Sequence, residues 1–145
     1  MMNRCALLLL WSASAAALSP LPTPPHTQRV NDYIAAFNRQ DVEAMLALVS
    51  PEVQWLSIAG DQAPAREAEG HSALRQSLTD YFRGCPSCRS HMGQVLTSKE
   101  RVVVLETASW TTREGQTREQ QALAVYEFDA DSGKIARVYY FPVER

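Results

Sequence analysis

Apolar residues in the first half of the chain recur at the spacing of helices. One predicted helix begins near Gln28, and its apolar face holds positions i, i+3, i+4 and i+7: Val30, Tyr33, Ile34 and Phe37. A second, short helix is predicted after Asp41, a residue suited to an N-cap, with a similar face: Val42, Met45, Leu46 and Val49. A third helix is predicted from Ser72 to Phe82, with Gly84 as its stop.

The pattern in the rest of the chain is typical of strands. One strand is predicted at residues 52–58, EVQWLSI, and a long polar loop follows it. Four further runs rich in β-branched and aromatic residues complete the chain: SHMGQVLTS, RVVVLETASWTT, REQQALAVYEFD and KIARVYYFPV. Their short connections favour antiparallel neighbours. The order of elements predicts an α+β domain, with three N-terminal helices packed on a strongly curved, mostly antiparallel sheet.

The beginning of the chain differs from this globular part. Residues 1–18 join a positive charge to a run of apolar and small residues, which is typical of a cleaved signal peptide. The stretch SPLPTPPHT, residues 19–27, is predicted to be an extended tether, because proline-rich backbone delays the start of a helix. Residues 28–145 then form the domain, which we expect to be periplasmic or secreted.

Composition and charge exclude some classes of partner. The 46% hydrophobic and 21% charged residues are those of an ordinary globular domain. The net charge of -2 and the absence of a long basic run argue against a nucleic-acid partner, and no membrane partner is expected after signal cleavage. The chain has no Gly-rich phosphate loop, no His-Glu-x-x-His motif and no carboxylate cluster. We therefore predict no cofactor and no metal site.

Several stretches of the sequence together resemble a known family. They are DYIAAFNRQDVEAMLALVSPEVQW, the Gly70 that opens the third helix, and YEFDADSGKIARVYYFP. They resemble the SnoaL-like branch of the nuclear transport factor 2-like superfamily, which includes ketosteroid isomerases, polyketide cyclases, dehydratases, epoxide hydrolases and non-catalytic binding domains. The resemblance implies a cone-shaped α+β barrel with an open mouth and an interior cavity. It also implies a homodimer formed through the outer face of the sheet.

The ketosteroid isomerases of that superfamily provide a test for catalytic residues. Their mechanism needs an aspartate base and an oxyanion hole made by a tyrosine and a protonated aspartic acid. By resemblance Tyr33 matches the tyrosine, but Trp55 stands at the position of the base and Ala124 at that of the protonated acid. Neither replacement can carry the proton, so the mechanism is not available here as those enzymes run it.

The strand register implied by the resemblance directs a set of residues toward the cavity: Tyr33, Trp55, Ala122, Ala124, Tyr126, Val138 and Tyr140. An aromatic wall with hydroxyl groups suits a small apolar or aromatic ligand, because ring faces supply contact area and a polar tip fixes orientation. Tyr33, Trp55, Tyr126 and Tyr140 are therefore candidate ligand-binding residues. The alternative is that these side chains only fill the interior.

Two further polar positions in strands are candidates for the same cavity. Glu106 is the one carboxylate in an otherwise apolar strand, and burial would raise its pKa toward the range useful for proton transfer. Apolar residues occupy both faces of that strand, so alternation does not fix its side; we expect it to point outward and pair with an arginine. Gln120 and Gln121 are adjacent, so one should point inward, and Gln121 is a candidate ligand contact.

The stretch GCPSCRSH, residues 84–91, allows several interpretations. Thiol redox enzymes place the reactive cysteine at a helix N-terminus, whereas Cys85 follows a predicted helix, whose negative end disfavours a thiolate. A zinc site would need two more ligands, and only His91 is close in sequence. A local disulfide between Cys85 and Cys88 is the most economical account in an exported protein, and two reduced, buried thiols are the alternative.

Three hypotheses for function follow from these observations. The first is an exported small-molecule-binding domain without a recognisable catalytic set. The second is an isomerase, cyclase or dehydratase acting on an apolar carbonyl compound, with Tyr33 as oxyanion donor and Glu106 or another, unrecognised acid as base. The third is a non-catalytic dimerisation or assembly domain with a filled interior. An inward Glu106 within hydrogen-bond distance of Tyr33 or Tyr126 favours the enzyme, and an open cavity argues against the third hypothesis.

Overall fold

A computed structural model describes residues 23–143 of the chain. The helices are α1 (Pro25–Asn38), α2 (Val42–Ala47) and α3 (Gly70–Gly84), and the strands are β1 (Val49–Ser57), β2 (Ala65–Glu69), β3 (Arg89–Thr97), β4 (Arg101–Thr111), β5 (Thr117–Phe128) and β6 (Ile135–Pro142). The predicted α+β fold is confirmed, with helices packed on a curved, mostly antiparallel sheet. The predicted signal peptide, residues 1–18, lies outside the described residues.

Several elements differ from the sequence-based prediction: β1 begins at Val49, which was predicted on the second helix, and α3 begins at Gly70 rather than at Ser72. Helix α1 begins at Pro25, inside the predicted tether of residues 19–27, because a proline in the first turn needs no hydrogen-bond partner for its nitrogen. Strand β2 lies within the predicted polar loop and pairs antiparallel with β1. Only Ala68 of β2 is buried, so this edge strand lacks the hydrophobic alternation by which a strand is recognised.

The sheet has the strand order β2-β1-β6-β5-β4-β3. The pair β1 and β6 is parallel, and the other neighbours are antiparallel. Strands β4 and β5 pair without a break in register, so side chains at alternate positions of both strands share one face. Bulges interrupt the pairing of β3 with β4 and of β5 with β6.

The helices cover the inner face of the sheet. Helix α1 packs against β3 and β4, and α3 packs against β1 and β2. Residues of the inner face that are inaccessible to solvent include Val102 and Val104 of β4, Ala124 and Tyr126 of β5, and Val138 of β6. Asp41 caps α2 as predicted, since its carboxylate accepts a hydrogen bond from the Ala44 amide. No helix within residues 23–143 has the length and apolar character needed to cross a bilayer.

Candidate functional site

A cavity of about 280 Å³ lies between α1, α3 and the inner face of the sheet. Most of the described residues that line it are apolar or aromatic: Tyr33, Ile34, Phe37, Trp55, Leu74, Leu78, Tyr81, Ala108, Tyr126 and Tyr140. Its polar lining consists of Glu67, Ser77, Ser90 and Glu106. Glu67, Ser77 and Tyr81 are exposed to solvent, so they mark the mouth, whereas Glu106 is buried at the inner end. The interior is therefore hollow rather than filled.

Glu106 points into this cavity, and the expectation that it faces outward was wrong. Its side chain shares the inner face of β4 with Val102 and Val104, and only 6% of its surface is exposed. The alternation could not reveal this, because the outer positions of the same strand, Val103 and Leu105, are equally apolar. The predicted arginine partner is also absent, since every hydrogen bond described for Glu106 comes from a hydroxyl group.

Three hydroxyl groups converge on the Glu106 carboxylate. The Tyr126 hydroxyl donates to Oε1, while Oε2 accepts from the Tyr140 hydroxyl at 3.0 Å and from the Ser90 Oγ at 3.1 Å. The two tyrosine oxygens are 3.4 Å apart. Strand register places Glu106 and Tyr126 on the same inner face, although the residue opposite Glu106 is Ala122 and Tyr126 lies opposite Val102, so the long Tyr126 side chain spans the distance to the carboxylate. Oε1 therefore retains one acceptor position for a further donor.

Burial and hydrogen bonding act in opposite directions on the pKa of Glu106. Removal of the carboxylate from water raises its pKa, and this outweighs the hydrogen bonds from Tyr126, Tyr140 and Ser90, which lower it. Burial also raises the pKa of both tyrosines, with a further increase from the nearby Glu106 charge. The tyrosines are thus neutral donors, and the raised pKa makes the Glu106 carboxylate a stronger proton acceptor than an exposed glutamate.

Ser90 is a site residue that the sequence did not indicate. It begins the inward-facing part of β3, two residues after Cys88. The side chain of Asn38, at the end of α1, donates to the Ser90 carbonyl at 2.8 Å and accepts from the Ser90 amide at 2.7 Å. This pair of bonds fixes the backbone from which the Ser90 hydroxyl reaches Glu106. No sequence signal links Asn38 with Ser90, because 52 residues separate them.

Tyr33 lines the cavity, and the structure assigns no partner to its hydroxyl group. The residue is only 2% exposed, and its hydroxyl makes no hydrogen bond within the described residues. Burial and the Glu106 charge both raise its pKa. Its ring centroid lies 5.7 Å from that of Trp55 and 6.4 Å from that of Tyr126. A buried hydroxyl without a partner is costly, so a ligand that bonds to it would recover that cost.

The structure brings four of the candidate ligand-binding residues together and excludes the fifth. Tyr33, Trp55, Tyr126 and Tyr140 all line the cavity, and the rings of Trp55 and Tyr140 stack at 5.3 Å. The prediction that Gln121 contacts a ligand was wrong. Gln121 lies on the exposed outer face of β5, where its amide approaches the Thr107 hydroxyl at 3.4 Å.

The neighbouring Gln120 is also exposed. At this end of the strand both faces reach solvent, so alternation there buries neither amide.

The stretch of residues 84–91 forms the turn between α3 and β3. Cys85 and Cys88 are joined by a disulfide, and their Cα atoms are 5.4 Å apart. The Tyr81 hydroxyl, at the cavity mouth, donates to Cys88 Sγ at 3.3 Å. Within residues 23–143 no group of three or more histidine, cysteine, aspartate or glutamate side chains could hold a metal ion. The turn therefore contacts the cavity mouth through Tyr81 and leads directly into β3, which carries Ser90.

Comparison with known proteins identifies similarity in sequence pattern and in fold. A family model described as a SnoaL-like domain matches residues 30–138. No curated protein sequence matches the chain.

Similar solved structures include one of TerC co-crystallised with polyporic acid, which has 20% identity and a TM-score of 0.68 and covers 83% of this chain and 92% of that one. A nuclear transport factor 2-like protein of unknown function from Burkholderia pseudomallei has 22% identity and a TM-score of 0.65, over 81% of this chain and 90% of that one. AclR, a putative hydroxylase from Streptomyces galilaeus, has 16% identity and a TM-score of 0.63, over 83% and 90% of the two chains. At these identities the likeness concerns the fold alone.

Proposed function

This chain belongs to the SnoaL-like domain family, and from that premise we propose that it binds a flat, largely apolar small molecule in the cavity beneath α1 and α3. The aromatic lining supplies contact area for such a ligand. The Glu106 carboxylate and the Tyr33 hydroxyl supply polar contacts that fix its orientation. TerC, a protein of similar fold, was co-crystallised with polyporic acid, which supports a small organic molecule as the class of ligand.

One observation carries the proposal: an open cavity contains a buried acid and a buried hydroxyl without a partner. A domain that needed only a filled interior would gain stability from apolar side chains at both positions, because burial of a carboxyl group is costly. The observation thus argues against the assembly-domain hypothesis.

Two matched substitutions in β4 test whether ligands bind in this cavity. Ala108 lines the cavity, whereas Leu105 lies on the outer face of the same strand. Ala108→Phe should fill the cavity and abolish binding of a flat aromatic probe such as naphthalenemethanol, measured by calorimetry. Leu105→Phe should leave binding unchanged, and circular dichroism shows whether each variant is folded. Unchanged binding by a folded Ala108→Phe variant contradicts the proposal.

A second candidate function, favoured by the inward Glu106, is an isomerase, cyclase or dehydratase acting on an apolar carbonyl compound. Glu106 would remove a proton from the carbon next to the carbonyl, and Tyr33 would donate a hydrogen bond to the carbonyl oxygen. Trp55 and Ala124 contribute no proton transfer. The test is exchange of that proton with deuterium in a cyclic ketone; Glu106→Gln should abolish exchange while the ketone still binds.

The outer face of the sheet supports a further proposal, a homodimer. Leu96 and Leu123 are 72% and 40% exposed there, and they border an apolar groove with Val103 and Leu105. The substitution Leu96→Lys should convert dimers to monomers in analytical ultracentrifugation.

We also propose that the protein is exported to the periplasm or the medium, because residues 1–18 have the pattern of a signal peptide. A shortened mature chain in the exported fraction would support this proposal.

A further inference from the structure

The cavity has an uneven distribution of charge. Among the described residues that line it are two carboxyl groups, Glu67 and Glu106, and no lysine, arginine or histidine. Buried carboxylates in proteins are normally paired with a cation or a metal ion. Glu106 instead has three uncharged hydroxyl partners. The site thus offers negative charge without a counter-charge of its own.

The groups that surround Glu106 do not supply that counter-charge. Tyr33 of α1, Tyr126 of β5 and Tyr140 of β6 can be neutral or negative, never positive. From β3 comes the Ser90 hydroxyl, and from α3 come Leu74, Ser77, Leu78 and Tyr81. On β2, Glu67 adds a second acid at the mouth. An arriving ligand is therefore the available source of positive charge.

Aromatic rings beside Glu106 add to this preference. The rings of Tyr33, Trp55 and Tyr140 lie near one another, with centroids 5.7 Å apart for Tyr33 and Trp55 and 5.3 Å apart for Trp55 and Tyr140. The negative face of an aromatic ring attracts an organic cation within about 6 Å of its centroid. Rings and carboxylate together form a lining that suits a cation with an apolar body.

We propose that the ligand of this cavity is a flat apolar molecule bearing a protonated amine, whose ammonium group docks on Glu106. This inference rests on the ligand-binding function proposed above and names the class of ligand. The ammonium donates to Oε1, the carboxylate oxygen with a free acceptor position, and the Tyr33 hydroxyl oxygen accepts a second N–H. A ligand carboxylate would face the Glu106 charge without a cation between them, so the cavity rejects it.

The test compares three probes of nearly equal shape by calorimetry at neutral pH: naphthylmethylamine, naphthalenemethanol and naphthoate. We expect the amine to bind at least about tenfold more tightly than the alcohol, because it gains a charge-assisted hydrogen bond and ring contacts. The carboxylate should bind most weakly. Equal binding of amine and alcohol overturns this inference but leaves the binding function standing. Failure of all three probes to bind overturns both.

Two variants assign the preference to its proposed source. Glu106→Gln keeps the shape of the side chain, so it should reduce the preference for amine over alcohol to within about twofold while the alcohol still binds. Glu52→Gln is the matched control, because Glu52 is exposed on β1 and does not line the cavity. It should keep the full preference. A preference that survives in Glu106→Gln overturns the assignment to this carboxylate.

Discussion

Two glutamates on neighbouring strands of the sheet occupy opposite environments. Glu106 of β4 faces the cavity, is 6% exposed and accepts hydrogen bonds only from hydroxyl groups. Glu127 of β5 faces outward and pairs with Arg101 at 2.8 Å and with Arg137 at 3.2 Å. Glu127 thus has the environment that the sequence analysis predicted for Glu106: it points outward and pairs with arginine.

The two sites differ in whether the carboxylate has a cation beside it. Glu127 is neutralised by the arginines of adjacent strands, as a charge on an outer face usually is, and its hydrogen bond raises the pKa of Arg101. Glu106 is desolvated without a cation, an arrangement that costs stability and that proteins concentrate at sites of binding or proton transfer. The fold alone gives no reason for an acid at this position.

Variants of the two acids should differ most in how their free energy of unfolding depends on pH. Because folding raises the pKa of Glu106 above its ordinary value of 4.5, the native state retains a proton that the unfolded chain has released. Stability therefore falls as the pH rises from 4.5 through the folded pKa. Glu106→Gln should lack this fall, and Glu127→Gln should retain it. Urea unfolding across a pH series measures both, and parallel curves for wild type and Glu106→Gln would contradict the account.

The next largest effect should come from the hydroxyl groups that hold Glu106. Tyr126→Phe removes a buried donor to the carboxylate and should lower the free energy of unfolding by about 2–3 kcal/mol at neutral pH. The same change should raise the pKa of Glu106 further, because one hydrogen bond to the charged form is lost. Tyr139→Phe, on the outer face, is the control and should cost much less. Equal losses of unfolding free energy in Tyr126→Phe and Tyr139→Phe would show that the hydroxyl groups around Glu106 contribute no more to stability than one on the outer face.

Loss of the disulfide beside Ser90 should lower the free energy of unfolding by less than Tyr126→Phe does. Replacing both Cys85 and Cys88 by serine removes a bond that closes a very short loop, so the free energy of unfolding should fall by about 2 kcal/mol or less. Chemical denaturation of the folded variant measures the loss. A much larger loss, with weaker probe binding, would show that the bond also sets the position of Ser90.

The smallest effect is expected on the outer face. Glu127→Gln breaks two ion pairs in which the arginine side chains are 55% and 52% exposed and the Glu127 side chain is 18% exposed, so each pair has one partner open to solvent. Pairs of this kind contribute little in water, so the melting temperature should fall by no more than about 4 °C. A scan at high salt should reduce the difference further, since salt screens exposed charges. A larger fall in melting temperature would mean that Glu127, Arg101 and Arg137 stabilise the fold more than exposed ion pairs usually do.

Much of the fold was predictable because its elements follow hydrophobic periodicity. The α+β class, the SnoaL-like family and the Asp41 cap are confirmed. The edge strand β2 was missed because only one of its residues is buried. Tyr33, Trp55, Tyr126 and Tyr140 line the cavity, as the register implied by the resemblance suggested.

The chemistry of the site was less predictable, because it depends on which face of a strand is covered. Glu106 lies in a strand with apolar residues on both faces, and Gln121 lies where neither face is covered. The link from Asn38 through Ser90 to Glu106 joins α1, β3 and β4, and no local pattern records such a contact. Sequence patterns thus located the wall of the cavity but not its acid.

The most direct test of a desolvated acid in the cavity is the titration of Glu106 itself. Carbon-13 NMR of side-chain carboxyl groups, with Glu106→Gln to assign the resonance, follows this group across the pH range. We predict a midpoint above 4.5, because burial outweighs the three hydroxyl donors. A midpoint at or below that value would show that burial does not outweigh the hydroxyl donors, and would contradict the desolvated acid described for this site.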